Sequence, residues 1–174
     1  MNLSLPEIAR MDGSDSVVPD QSVSEFSIDS RTATGGLFIA LRGENHDGHN
    51  FLADVAAKGA AAALVDDRGW SSTMPLITVK DTLRAMQDLA RGVRDRLGMA
   101  ILGITGSAGK TSTKETVAAM LAARYRVAKN EGNLNNHWGV PLSLARMPEA
   151  TQYAVFELGM NHPGEIMPLS KLVR

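Results

Sequence analysis

The sequence predicts an α/β chain: a small N-terminal α/β domain, then an incomplete parallel-sheet domain built on a phosphate-binding loop (P-loop). Three observations predict this. The stretch Gly103–Ser112 reads GITGSAGKTS, follows the apolar run Met99–Leu102 and opens a helical pattern over Thr113–Arg124. Short apolar runs alternate with amphipathic stretches, the order that gives parallel strands with crossover helices. Gly98 separates two such series, which sets the first domain at residues 1–97 and the second at 98–174.

The elements follow in order. Ser4 is a candidate cap for a short helix over Leu3–Ala9, with Pro6 in its first turn. Residues 13–24 are polar and read as loop. Phe26-Ser27-Ile28 alternates as a half-buried strand does and exits into Asp29-Ser30-Arg31. Gly35-Gly36 turns the chain into a buried strand, Leu37–Leu41, and Arg42–Asn45 turns it again. Leu52, Val55, Ala56, Gly59 and Ala60 have the spacing of an amphipathic helix. Ala62–Val65 and Leu76–Val79 read as strands. Asp81 is placed to cap a helix whose stripe is Leu83, Met86, Ala90, Val93 and Leu97. Past Gly98 come a strand, the glycine-rich loop, a helix, a strand (Arg126–Ala128), a helix, a strand (Tyr153–Phe156) and a further helix start. Three strands are few for a parallel sheet, so the expectation is a fragment, or a domain completed by something else.

Composition narrows the classes. With 174 residues and 44% hydrophobic content the chain can bury a core. A net charge of −1 gives no argument for nucleic acid or a membrane surface. The absence of cysteine removes disulfides and thiolate metal sites. Met1–Arg10 lacks the pattern of a signal peptide, and no apolar stretch is long enough to span a bilayer. The expectation is a soluble, cytoplasmic protein.

The glycine-rich loop carries the strongest chemical signal. Gly106 and Gly109 let the backbone approach a ligand without an intervening Cβ. The unpaired N–H groups at the helix start then point at phosphates. Gly106, Ser107, Ala108, Gly109, Lys110, Thr111 and Ser112 form the cradle; Lys110 reaches the outer phosphates and Thr111 offers its hydroxyl to Mg²⁺. The general pattern asks for a glycine where Ile104 stands, which suggests a variant class. The plainer alternative is an ordinary strand-to-helix turn with a surface lysine. Glu157, at the end of an apolar strand, sits where a Mg²⁺-binding acid belongs beside such a loop; otherwise it is a solvated strand-end glutamate. His162 nearby could contact substrate or cap a turn.

Two polar clusters remain open. In Gly132–Gly139 the amides of Asn135 and Asn136 could bind a polar substrate or serve as turn residues. Asp29-Ser30-Arg31 and Asp47-Gly48-His49 end elements of the first domain. Arg31 could fork onto a phosphate, but residue chemistry alone favours a surface salt bridge and helix caps.

In combination, DSR (29–31), LFIALRGENHDGHNF (37–51), GITGSAGKTSTKE (103–115), GNLNNHWGVPLSL (132–144) and FELGMNHPGEI (156–166) resemble the Mur ligases of bacterial cell-wall synthesis. The likeness runs the length of the chain and is strongest to the last member of the series. It implies an ATP-dependent ligase that phosphorylates the carboxylate of UDP-N-acetylmuramoyl-tripeptide and joins it to D-alanyl-D-alanine. On this resemblance Lys110 is catalytic, neutralising charge at the γ-phosphoryl group. ATP lies on Gly106–Ser112, and Thr111 and Glu157 hold Mg²⁺. Ser30, Arg31, Asp47, Gly48 and His49 face the uridine diphosphate, while Asn135, Asn136 and His162 reach the substrate. The family's loop, T-G-x-x-G-K-[ST], accounts for Ile104. Its second metal site and its amine-binding C-terminal domain lie beyond Arg174, so the isolated chain is expected to be inactive. The rival readings are a GTPase-like switch, for which the N-K-x-D pattern is absent, a non-catalytic UDP-sugar and nucleotide-binding module, and another Mur-like ligase.

Overall fold

The computed structural model describes residues 1–174. They divide into two compact units, Met1–Leu89 and Ala90–Arg174. The division falls within a helix, ahead of the 97/98 boundary that Gly98 suggested.

The first unit opens with β1 (Leu3–Ser4) and α1 (Leu5–Met11). Ser4 caps α1 as expected, its hydroxyl accepting from the Glu7 N–H at 3.3 Å. Then come β2 (Ser22–Val23), β3 (Phe26–Ser27), β4 (Leu37–Ile39), a 3-10 turn at Gly48–Phe51, α2 (Leu52–Ala57), β5 (Ala62–Asp66), β6 (Leu76–Val79) and the first half of α3 (Thr82–Leu97), whose second half, from Ala90, belongs to the second unit. Strands β3, β4, β5 and β6 lie in that order in one parallel sheet. A second sheet, the antiparallel pair β1 and β2, was not anticipated. α2 is shorter than the periodicity implied. It stops at Ala57, and Gly59 takes φ +85°, a left-handed turn that ends helices and that glycine adopts without strain.

The core follows from the apolar runs. Leu37, Phe38, Ile39, Ala62, Ala63, Leu64 and Ile77 are at most 1% exposed, because a parallel sheet is covered on both faces. Asp81 accepts from the Arg84 N–H at 3.0 Å, as the capping argument required. α3 buries Ala85, Met86, Leu89, Ala90 and Val93. The edge of β6 is covered by side chains: Ser14 Oγ donates to Thr78 O at 2.6 Å, and Thr78 N–H donates to Ser16 Oγ at 2.9 Å. This stands in for a neighbouring strand.

The second unit holds β7 (Ala100–Ile104), α4 (Lys110–Ala122), β8 (Val127–Lys129), α5 (Gly139–Ala145), β9 (Tyr153–Glu157) and α6 (Ile166–Leu172). Its sheet is parallel in the order β7-β9-β8, so the last strand in sequence is central. α4 begins at Lys110, earlier than the helical pattern alone indicated. The apolar residues of β9 and α5 are buried, whereas edge strand β7 leaves Leu102 38% exposed.

Candidate functional site

The loop between β7 and α4 has the backbone that the glycines imply. Gly106 has φ +154° and Gly109 φ +74°. An added Cβ at Gly109 would meet nothing within 4 Å, so the backbone conformation, not space, calls for glycine there. Gly109 is the left-handed residue preceding α4, and the helix N–H groups open onto the loop. Lys110 folds over it, Nζ donating to Gly106 O at 2.7 Å.

Thr111 and Glu157 meet across 46 residues of sequence: Thr111 Oγ1 donates to Glu157 Oε2 at 2.7 Å. They meet because β9 lies beside β7, with Ile104 and Glu157 in register at the strand ends. The other carboxylate oxygen accepts from Asn135 Nδ2 at 2.8 Å. Glu157 is only 4% exposed. Burial works to raise its pKa. The hydrogen bonds from Thr111 and Asn135, with the charges of Lys114 and Lys110, outweigh burial and hold it below the ordinary value. The carboxylate is therefore ionised at neutral pH.

The two asparagines of the loop differ in their contacts, and both bond within the protein. Asn135 binds Glu157, and Gly159 packs so closely that an added Cβ would lie 2.9 Å from the Asn135 side chain. Asn136 caps α5 instead: its Oδ1 accepts from the N–H groups of Trp138 at 3.1 Å and Gly139 at 2.9 Å. His162 is exposed in the loop after β9, its N–H donating to Glu165 Oε2 at 3.2 Å.

Two residues of this site escaped the sequence reading. Asn130, 1% exposed, follows the end of β8. Its Oδ1 accepts from Glu157 N–H at 2.8 Å and its Nδ2 donates to Glu157 O at 3.0 Å and Leu134 O at 2.7 Å. The carboxamide continues the ladder where β8 has stopped. Lys114, 2% exposed, donates to Asn130 O at 2.8 Å and lies 3.4 Å from Glu115 Oε1. A signal for Lys114 existed: it takes a place in the helical stripe of Val117, Ala118 and Leu121. Nothing local marked Asn130.

The first-unit candidates form two groups. Arg31 binds Asp29 through Nε at 2.9 Å and Nη2 at 2.6 Å, with its side chain 85% exposed. The hydrogen bonds from the Arg31 side chain and backbone lower the Asp29 pKa to about 2. Ser30 lies beside them, its carbonyl accepting from Lys58 Nζ at 2.8 Å. In the second group Asp47 and Asp66 each bind both Arg42 and Arg68. Gly48 is a point of close backbone approach: a Cβ there would lie 3.0 Å from Ala40 Cα and from Leu41 N and O. His49 points inward, 2% exposed. Its Nδ1 is 2.6 Å from Asp47 Oδ1, its Nε2 accepts from Asp66 N–H at 3.0 Å, and its ring stacks on Trp70 at 4.8 Å. With both nitrogens engaged, it holds the loop and offers neither to a ligand.

Comparison with known proteins agrees with this geometry. The profile of the Mur ligase family, catalytic domain, matches residues 22–94, and that of the Mur ligase middle domain matches residues 104–174. The UDP-N-acetylmuramoyl-tripeptide–D-alanyl-D-alanine ligase of Bacillus subtilis (strain 168) is 46% identical over 143 residues, which are 78% of this chain and 30% of that one. The Escherichia coli (strain K12) ligase of the same name is 43% identical over 156 residues, 89% of this chain and 34% of that one. The chain thus spans about a third of the curated relatives it matches. A solved UDP-N-acetylmuramoylalanyl-D-glutamyl-2,6-diaminopimelate–D-alanyl-D-alanyl ligase from Acinetobacter baumannii aligns with TM-score 0.93 and 35% identity, over 99% of this chain and 40% of that one. The MurF ligase of Thermotoga maritima in complex with ADP aligns with TM-score 0.76 and 30% identity, over 86% of this chain and 35% of that one. By sequence in both of its units, and by fold over nearly all its length, the chain belongs to the Mur ligase family.

Proposed function

We propose that the chain is the UDP-substrate and ATP-binding part of a ligase that joins D-alanyl-D-alanine to UDP-N-acetylmuramoyl-tripeptide. The observation that carries this reading is the contact between Thr111 and Glu157 at the mouth of the glycine-rich loop, 2.7 Å between hydroxyl and carboxylate oxygens. Two hard oxygen donors, one of them ionised, beside a ring of helix N–H groups suit a Mg²⁺–nucleotide phosphate.

In this reading the N–H groups of Gly106–Ser112 hold the phosphates. Lys110 leaves the Gly106 carbonyl to neutralise charge on the outer phosphoryl group. Thr111 and Glu157 hold Mg²⁺, and Asn135 keeps the Glu157 carboxylate aimed. Bound ATP supplies the phosphoryl group that activates the substrate carboxylate as an acyl phosphate, open to attack by the amine of D-alanyl-D-alanine. Asn136 and His162 flank the substrate end of the site. In the first unit, Ser30, Arg31, Asp47 and Gly48 bind the uridine diphosphate, and His49 shapes that loop from within. The two family profiles match separate stretches, 22–94 and 104–174, which supports two functional parts, proposed as domains at 1–97 and 98–174. No helix is long and apolar enough to cross a membrane, and the cytoplasm, where ATP and nucleotide-linked precursors occur together, is the proposed location.

The test is calorimetric titration of the chain with ADP plus Mg²⁺ and, separately, with UDP-N-acetylmuramoyl-tripeptide. Both are expected to bind. Lys110→Ala should abolish the first event and spare the second. Failure of both ligands to bind the folded chain would overturn the reading, and GDP binding as tightly as ADP would turn it toward a GTPase-like switch.

A further inference from the structure

Lys114 is a buried cation that the proposed chemistry leaves without a task. A lysine ammonium withdrawn from water costs several kcal/mol unless it is well paired. Lys114 is 2% exposed; its ammonium donates to Asn130 O at 2.8 Å and lies 3.4 Å from Glu115 Oε1, and its charge also acts on Glu157. Glu115 is itself shared with Lys129 of β8. An apolar residue in the stripe of Val117, Ala118 and Leu121 would avoid that penalty.

The contacts of its partner give a reason for the charge. Asn130 clamps Glu157 by both backbone groups and also holds Leu134 O, next to Asn135. Asn135 in turn binds the Glu157 carboxylate, and its own carbonyl accepts from Gly159 N–H at 2.8 Å. Lys114 lies one helical turn beyond Lys110, so its ammonium ties α4, which carries the loop lysine and Thr111, to the clamp that fixes Glu157.

We infer that Lys114 is a positioning residue for the Mg²⁺–nucleotide site, setting Glu157 against Thr111 through Asn130. The inference rests on the proposed nucleotide reading and deepens it. Lys114 touches no ligand in this account; it acts through the residues that do. Outer partners of metal ligands typically change metal affinity 10- to 100-fold when removed.

The test compares ADP affinity with Mg²⁺ and with EDTA in the 174-residue chain, with circular dichroism to verify folding. The readout is the ratio of the two affinities, which a general loss of folded protein would not move. Lys114→Met is expected to lower the Mg²⁺ enhancement about tenfold or more and to leave ADP binding in EDTA within about twofold. Glu157→Gln should lose the same enhancement, and the double variant should lose little beyond either single one. Lys114→Gln, which keeps a donor, serves if the Met variant unfolds. A wild-type Mg²⁺ ratio in Lys114→Met, with Glu157→Gln impaired, would overturn the inference alone. Unfolding of both Lys114 variants would make it a residue of the fold only and also overturn it. A wild-type chain that binds ADP with no Mg²⁺ enhancement would refute the placing of Mg²⁺ at Thr111 and Glu157 and this inference with it, and a chain that binds no ADP at all would refute the nucleotide reading itself.

Discussion

Replacing Asn130 by alanine tests the claim that one side chain completes the sheet at the site. Three hydrogen bonds of 2.7–3.0 Å would be lost, stranding Glu157 N–H, Glu157 O and Leu134 O. Two of these groups belong to a residue 4% exposed, so water cannot readily replace the lost partner. At about 1–3 kcal/mol for each of the two buried Glu157 groups left unpaired, and less for the Leu134 carbonyl, the sum is about 2–7 kcal/mol. That is a large share of the ~5–15 kcal/mol by which small domains are stable. The assay is urea unfolding followed by Trp138 fluorescence in a Trp70→Phe background, since Trp70 belongs to the first unit. Asn133→Ala, at an exposed position of the neighbouring loop, is the control and should change stability by no more than about 0.5 kcal/mol. A loss below about 1 kcal/mol for Asn130→Ala would mean that the Glu157 backbone does not depend on the carboxamide, and the ladder argument would be wrong.

Three other substitutions probe separate parts. Both carboxylate oxygens of Asp12 are buried without a partner, and burial, with the charge of Asp88 adding, raises its pKa to about 8. The folded chain then keeps a proton that the unfolded chain releases near pH 4, so stability falls as pH rises from there to about 8. Asp12→Asn should flatten that slope in thermal melts across the range, and an unchanged slope would contradict the assignment. Gly159→Ala should displace the Asn135 side chain and weaken Mg²⁺–ADP binding several-fold with little change in melting temperature, read by calorimetry and by a thermal scan. Arg31→Ala removes only an exposed ion pair, so the melting temperature should be nearly unchanged. UDP-N-acetylmuramoyl-tripeptide binding should weaken strongly in the same variant, and unchanged affinity would remove Arg31 from the uridine diphosphate site.

Much of this protein is a local property of its sequence. The glycine-rich loop, the strand before it and the helix after it follow from Gly106, Gly109 and the apolar run, because backbone freedom and periodicity act over a few residues. The caps at Ser4 and Asp81 are legible for the same reason. The motifs also pair Thr111 with Glu157, but only as a shared task. Tertiary structure decided the rest. Placing β9 between β7 and β8 brings Glu157 to Thr111, and that strand order depends on pairings some fifty residues apart. His49, read as a ligand-facing residue, turned inward because Asp66 and Trp70, at and just past the end of β5, join the local Asp47 in satisfying it. Asn136 became a cap while Asn135 reached Glu157, a choice set by where α5 starts. Asn130 and Lys114 have no motif of their own. Their roles exist because β8 ends opposite Val155, two residues short of Glu157, and an asparagine backed by a buried cation is what the fold brings to the gap.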